Sequence, residues 1–414
     1  MIIASIDLQQ GKAVQLRNGR EKILEKDDPL ALAREFDRYG DVAVIDLDAA
    51  LKQGDNEAVL GRILPLARCR VGGGIRSVHK AKQWLDLGAS KVIIGSAAYR
   101  HGTIDVEFLE RLTQAVDVRK IIIAIDACHG EIVSQGWRQG TGLAVQAAIR
   151  TLAPFCSEFL FTCVEQEGTM QGIDVERVEQ LRTLTDRRLT VAGGVASLEE
   201  VRRLSALGVD IQLGMALYSG RLTLADAFVA ALNWRQPLLP TVVQDEAGRV
   251  LMLAYSNAES LQRTFAEGRM SYYSRSRQGF WRKGDTSGHI QELLRLRADC
   301  DADALLATVR QKGVACHDGG YSCFGDDHFA WQDLFAVVHE RLQGPQSTSY
   351  TRTLTKTKVR QKLLEEAGEL ILAGNKDELV WEAADLLYFT TVLLAKAGIG
   401  PDRVMGELRR RRQK

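Results

Sequence analysis

The 414-residue chain reads as a multidomain protein of three successive units: a (β/α)8 barrel over residues 1–233, a small α+β metal-binding domain over 234–328, and an all-α helical bundle over 329–414. Three observations predict this. Up to about Asn233, short apolar runs alternate with amphipathic stretches, the pattern of repeated strand and helix units around a parallel sheet. The same region repeats itself at an offset of 119 or 120 residues: Asp7 with Asp126, VGGGIRS at 71 with VAGGVAS at 191, IIGSAAY at 93 with QLGMALY at 212. Beyond Asn233 the pattern changes, first to a stretch dense in cysteine and aspartate and then, from about Phe329, to helical periodicity.

In chain order, eight strands are expected: IIASIDL from Ile2, VAVIDLD from Val42, CRVGG from Cys69, KVIIGS from Lys91, IIIAIDA from Ile121, EFLFTCV from Glu158, LTVAGGV from Leu189 and IQLGMA from Ile211. Between them, SVHKAKQWLDLG and SLEEVRRLSALG carry apolar residues at helical spacing and close on glycine, a natural helix stop. Eight such units imply a closed TIM barrel, and the repeat implies two homologous halves. LLPTVVQD and RVLMLAYS read as strands of the second unit. With no low-complexity linker, the units are expected either to pack closely or to join through short stretches around Asn233 and Gly344.

A hydrophobic fraction of 45% and a charged fraction of 26% suit a soluble globular protein, and a net charge of +1 gives no general attraction to nucleic acid or membrane. No apolar run of about 18 residues occurs, and MIIASIDLQQGK reads as a strand and turn rather than a cleavable leader. A cytoplasmic location is therefore expected. Seven cysteines, an odd number, argue against a disulfide framework; Cys69, Cys128, Cys156 and Cys163 read as small buried hydrophobes.

The other three cysteines carry chemistry. Cys300, Cys316 and Cys323 fit no closed four-ligand finger, and three thiolates leave a fourth tetrahedral position to water, as a catalytic zinc requires. Asp299, Asp301 and Asp303, at spacing two, would point from an extended segment to one side with Cys300 on the other. Their hard oxygens suit Mg2+, and soft sulfur suits Zn2+. A solvated acidic turn is the plainer alternative, but Cys300 within the run and Cys316-His317 after it argue for metal.

Together with YYSRSR at 272–277, WRKGDTSGH at 281–289 and LMLAY at 251–255, this stretch resembles phosphoribosyl-AMP cyclohydrolase over about residues 234–328. The resemblance implies addition of water to C6 of a purine ring and cleavage of its bond to N1. It implies zinc on the three cysteines, drawn from two chains of a homodimer, with His289 or His317 moving protons. Arg275, Arg277, Arg282 and Lys283 would hold the phosphate. His328 and His339 fall outside the motif.

In the third unit, Glu365, Glu366 and Glu369 recur at helical spacing, and Glu382 and Asp385 form a second acidic pair. Facing helices so charged can hold Mg2+ within a bundle. With SYTRTL at 349–354, Lys362 and WEAADLLYF, the segment resembles phosphoribosyl-ATP pyrophosphohydrolase, an all-helical magnesium enzyme that releases pyrophosphate. The terminal RRRRQK reads as a helix C-cap in solvent, with steering of a polyphosphate as the alternative.

In the barrel, Asp7 and Asp126 end the first and fifth strands and would face each other across the mouth, one to take and one to give a proton. Gly73, Gly74, Gly95 and Ser96, and their counterparts Gly193, Gly194 and Gly214, offer backbone N–H groups to a phosphate at each end of a substrate, with Arg76 beside the first set. IDLQQGKAV, IDLDAA, GGGIR, GW at 136–137, EGTMQG and GMALY resemble phosphoribosylformimino-AICAR-phosphate isomerase, which catalyses an Amadori rearrangement. By that resemblance Asp7 is the general base, Asp126 the general acid on the ribose ring oxygen, and Thr162 a hydrogen-bonding partner. Where the family has Arg-Asp before Gly-Thr, this chain has Gln166-Glu167; the lost arginine either weakens binding or is replaced by Arg138. Two readings follow: an enzyme of three successive steps of histidine biosynthesis, or a cyclohydrolase and pyrophosphohydrolase with a silent or altered barrel. A nucleotide-binding regulator with decayed sites would lack ligands, and the cysteine and carboxylate sets are complete.

Overall fold

Eight parallel strands close on themselves in the first part of the chain: β1 (Ile2–Gln9), β2 (Val42–Asp46), β3 (Cys69–Gly72), β4 (Lys91–Ile94), β5 (Ile121–Cys128), β6 (Glu158–Cys163), β7 (Arg188–Ala192) and β8 (Asp210–Leu213). Each pairs in parallel with the next, β4 with β5 and β8 with β1, so the sheet has no open edge in the barrel wall. The computed structural model describes residues 1–134, 136, 137, 139–325, 329–343 and 349–411, without the side chains of residues 402, 409 and 410. Arg138, His328, the stretch around Gly344 and residues 412–414 at the end of the terminal arginine run lie outside the described residues.

All eight expected strands are present. The second ends earlier than its apolar run suggests, because the Asp46 carboxylate accepts from Ala49 N at 3.0 Å and caps a short helix, Leu47–Leu51. Strands covered by helices outside and packed side chains inside are apolar on both faces, as in β5, where Ile121, Ile123 and Ile125 face one way and Ile122 and Ala124 the other. Ile93, Ile122, Ala124, Leu160 and Ala192 fill the barrel centre. At the end where strands begin, the interior holds ions: Glu158 accepts from Arg70, from Lys91 at 2.7 Å and from Thr190 at 2.6 Å, and Arg70 also meets Asp41 at 3.3 Å.

The duplication extends to the backbone. Gly73 and Gly74 have φ of 88° and 68°, and Gly193 and Gly194 have 94° and 83°. A Cβ on Gly73 would lie 2.1 Å from Asp46 O, and one on Gly193 would lie 2.7 Å from Cys163 O, so glycine is required twice over. Ser77 and Ser197 each cap the helix after the turn.

Residues beyond the barrel form a four-stranded sheet of β9 (Leu239–Gln244), β10 (Val250–Ser256), β13 (Gln291–Ala298) and β14 (Leu305–Gln311), in order β10-β9-β14-β13. A separate hairpin comprises β11 (Ser271–Ser274) and β12 (Gly279–Arg282). The helix Ala258–Glu267 opens with a capping box between Asn257 and Ser260 and stops at Gly268 in the left-handed region. Its core is shared with the barrel: Phe228, Val229 and Leu232, at the barrel's last helix, cluster with Leu239, Leu251, Leu261 and Tyr272. Leu296 N donates to Arg38 O at 2.8 Å, Arg295 pairs with Asp37, and Tyr39 packs on Phe265 at 4.6 Å. Asp37 to Tyr39 precede β2, so the junction lies at the barrel end where strands begin, opposite the mouth. Barrel and sheet domain together make one compact unit, Met1–Phe324, and Gly325–Lys414 makes the other.

The second unit is helical: Trp331–Gln343, Tyr350–Thr353, Lys356–Leu372, Lys376–Lys396 and Pro401–Arg411. Val338, Leu354, Val359, Phe389 and Val392 form its core. Among the described residues, no helix is long and apolar enough to cross a membrane.

Candidate functional sites

The barrel mouth is lined by Asp7, Gly73, Gly74, Arg76, Gly95, Ser96, Asp126, Trp137, Thr162, Glu167, Gly193, Gly194 and Gly214, which gathers the expected acid, base, hydrogen-bonding and phosphate-turn residues. Burial pushes the Asp7 carboxyl up to about 6, against a hydrogen bond from Ser5 Oγ at 2.8 Å that holds it down. Burial also raises Asp126, which accepts from the Trp137 indole and the Thr162 hydroxyl. Arg76 is turned to the backbone, donating to Ala49 O at 2.9 Å and Ala50 O at 2.6 Å.

Glu167, named above only as a departure from the family's pattern, is the site residue whose role sequence reasoning missed. It is half-buried in the lining of the mouth, and desolvation, then the charges of Asp7 and Asp126, push it up to about 8. Its position in the loop after β6, at the C-terminal end of a barrel strand, was the available signal. Gln166 does not enter the mouth; its amide oxygen accepts from Asp174 N at 3.3 Å and closes the loop on itself.

In the sheet domain, the thiols of Cys316 and Cys323 are hydrogen-bonded to each other, and the Lys283 ammonium acts on both while donating to Ala315 O at 2.5 Å. Donor atoms of Cys316, His317 and Asp318 lie within 4.8 Å of one another. Cys300 is exposed and sits by Asp301 at 3.8 Å, in none of the donor groups found among the described residues. The carboxylates of Asp299, Asp301 and Asp303 do converge within 4.8 Å. They do so on a tight turn rather than the extended segment expected: Asp299 Oδ1 accepts from Asp303 N and Ala304 N, and Ala302 has φ of 62°.

His289 lies against Gly313, where a Cβ would come 1.9 Å from its Nδ1, and that nitrogen accepts from Val314 N at 3.4 Å. His317 is exposed, with Nε2 3.3 Å from Asp318. Of the expected phosphate ligands, Arg275 stacks on Tyr255 at 3.8 Å, Arg277 is exposed at the hairpin tip, and Arg282 is held by Glu267 at 2.7 Å and Asp285 at 2.6 Å.

In the helical unit, Glu366, Glu382 and Asp385 bring oxygens within 4.8 Å, and Glu369 hydrogen-bonds Glu382. Burial, then Asp385 and Glu369, raise Glu366, although Lys362 opposes them. Glu365 is exposed and drawn to Lys362 at 3.0 Å. By donor type, soft sulfur at Cys316 and Cys323 fits zinc, and the hard oxygens of the two carboxylate groups fit magnesium.

Comparison with known proteins agrees with this division. Family models match in order: the histidine biosynthesis protein model over residues 1–223, the phosphoribosyl-AMP cyclohydrolase model over 252–325, and the phosphoribosyl-ATP pyrophosphohydrolase model over 331–412. The histidine biosynthesis bifunctional protein HisIE of Pyrococcus furiosus is 40% identical over 200 residues, 44% of this chain and 96% of its own. That of Gloeobacter violaceus is 44% identical over 209 residues, 47% of this chain and 96% of its own. The Bacillus subtilis protein of the same name is 43% identical over 190 residues, 42% of this chain and 91% of its own. The chain belongs to the histidine biosynthesis protein family, as an enzyme in which a barrel of that family is followed by the cyclohydrolase and pyrophosphohydrolase domains of the bifunctional HisIE proteins.

Proposed function

We propose that one polypeptide, a cytoplasmic homodimer with its domains at 1–233, 234–328 and 329–414, carries three successive reactions. Phosphoribosyl-ATP loses pyrophosphate at the helical unit. Phosphoribosyl-AMP then has its purine ring opened by water at the sheet domain, and the formimino product undergoes Amadori isomerisation in the barrel. The observation that carries the last and least direct assignment is the barrel mouth, where Asp7 and Asp126 line one cavity with Thr162 and two matched glycine turns.

There, Asp126 protonates the ribose ring oxygen as the ring opens, and Asp7 removes the proton from C2, giving the enol that becomes the ketose. Thr162 and Trp137 orient Asp126 through their hydrogen bonds. Glu167, neutral at pH 7 beside two carboxylates, adds a proton donor without a third charge. Gly73, Gly74, Gly95 and Ser96 take one phosphate, and Gly193, Gly194 and Gly214 the other. Arg76 keeps the first turn in place through the carbonyls it binds.

In the sheet domain, Cys316 and Cys323 would hold zinc with Cys300 of a second copy; the separation of Cys300 from the thiol pair within one chain supports this. Zinc bound there would activate water for attack at C6, and Mg2+ at Asp299, Asp301 and Asp303, or at Glu366, Glu369, Glu382 and Asp385, would offset phosphate charge. His289 is assigned the proton transfer to N1, because its Nδ1 accepts a backbone N–H and leaves the proton on Nε2. Lys283, Arg275 and, at the rim, Arg277 are assigned to the phosphate, since Arg282 is already paired with Glu267 and Asp285.

A silent barrel is the second reading, and one observation favours it: Gln166 brings no charge where the family places arginine, and its amide is used within the loop. The test is to supply phosphoribosyl-ATP to the purified protein with zinc and magnesium and identify what accumulates. The isomerised ketose supports all three steps. Persistence of phosphoribosyl-ATP overturns the helical assignment, and arrest at the formimino intermediate overturns the barrel's.

A further inference from the structure

The acidic turn of the sheet domain is held from outside that domain. Asp299, Asp301 and Asp303 bring three like charges within 4.8 Å, an arrangement that repels itself and needs the backbone held firmly. One side of the turn closes internally, through Asp299 Oδ1 to Asp303 N at 3.1 Å and to Ala304 N at 3.2 Å, and through Asp299 N to Ala304 O at 3.0 Å. The other side presents two consecutive carbonyls, those of Asp301 and Ala302, flanking the left-handed backbone at Ala302. Both are taken by one residue. Asn233 donates its backbone N–H to Ala302 O at 2.9 Å and its side-chain amide to Asp301 O at 3.2 Å.

Asn233 follows the barrel's last helix, Leu224–Ala230, and its own position is secured. The neighbouring Trp234 indole donates to Val229 O at 2.9 Å, and Phe228, Val229 and Leu232 are buried in the sheet domain's core. The clamp is therefore anchored in the barrel, at the end opposite its mouth.

We infer that Asn233 is a positioning residue for the cation site at Asp299, Asp301 and Asp303, so that the barrel sets the metal affinity of the domain fused to it. The inference rests on the proposed role of that turn in binding a divalent cation. A side-chain hydrogen bond of ordinary strength predicts roughly three- to tenfold weaker cation binding when the amide is lost.

The test uses the full-length chain carrying Glu382→Gln, which takes one carboxylate out of the helical unit's cluster and weakens its cation binding, titrated with Mn2+ and followed by electron paramagnetic resonance. Asp303→Asn in this background identifies the turn's share of binding. Asn233→Ala is expected to weaken that share three- to tenfold. It is also expected to speed hydrogen exchange at the amides of Asp303 and Ala304 without metal, an effect that does not depend on loading. Gln262→Ala breaks another junction contact, to Asp226 at 2.9 Å, away from the turn, and is expected to change neither reading. Unchanged Mn2+ affinity and exchange in Asn233→Ala overturn the inference while the cation reading stands. An equal loss in Gln262→Ala overturns it in favour of general loosening of the junction. No Mn2+ binding sensitive to Asp303→Asn overturns the cation reading itself, and the inference with it.

Discussion

Removing the Ser5 hydroxyl is expected to move the pH at which the barrel switches on. Ser5 Oγ donates to Asp7 Oδ1 at 2.8 Å, and Ser5 is buried, so water does not readily replace the bond. The bond stabilises only the ionised carboxylate and pulls Asp7 down against the desolvation that raises it to about 6. A hydrogen bond to a charged group contributes about 1.5 kcal/mol, and 1.36 kcal/mol is one pKa unit, so Ser5→Ala should carry Asp7 from about 6 to about 7. A base must be ionised to work, so the acid limb of kcat/KM for isomerisation should shift up by about one unit. At pH 6.5 the ionised fraction falls from roughly three quarters to roughly one quarter, a loss of about threefold, whereas at pH 8.5 this effect disappears. The assay is isomerase kcat/KM from pH 5 to 9 for both proteins. An acid limb that stays in place, or a loss equal at all pH values, would refute the assignment of Asp7 as the titrating base.

Asp7 also has a stability consequence of definite sign. Its folded pKa lies above the model-peptide value, so its ionisation opposes folding; the penalty is absent below about pH 4 and complete above about 6. Asp7→Asn should be more stable than the parent at pH 8, by at most about 3 kcal/mol, and equal to it at pH 4, as denaturant titration at the two pH values will show. Arg70→Leu leaves the fully buried Glu158 with one partner fewer and should cost about 3–5 kcal/mol, read as a lower midpoint in denaturant. Glu382→Gln should lower pyrophosphate release by at least roughly tenfold, the effect of losing even a supporting ligand group, while ring opening proceeds unchanged when phosphoribosyl-AMP is supplied. Because the sheet domain docks at the barrel end opposite the mouth, the ring-opened product should enter solution before isomerisation. Adding excess Asp7→Asn protein should therefore trap it and lengthen the lag to the final product.

Several features were legible in the chain because they are local. Apolar runs of four to eight residues bounded by glycine turns mark all eight barrel strands, since a strand covered on both faces has no polar side to interrupt it. The repeat that pairs Asp7 with Asp126 placed both at strand ends, and parallel closure brings strand ends to one mouth. The convergence of carboxylates at Asp299, Asp301 and Asp303 was equally local, since all three lie within five residues. The bend at Ala302 was not readable, because alternation of aspartates suits an extended chain and a tight turn alike.

What sequence by itself determined, then, is which elements form and which residues can do chemistry, because periodicity and residue type act over a few positions. Tertiary structure decided which of those residues meet. Closure of the barrel and the fold of its sixth loop bring Glu167 beside Asp7 and Asp126; its place after a barrel strand marks it as near the mouth, but only the closed barrel shows which carboxylates it meets. Helix packing selects Glu366 for the carboxylate cluster and leaves Glu365 to Lys362, although they are adjacent in the chain. Docking of the sheet domain beneath the barrel turns Asn233, a residue with no motif around it, into the clamp on the acidic turn. Such proximities depend on contacts between segments far apart in the chain, and no local pattern encodes them.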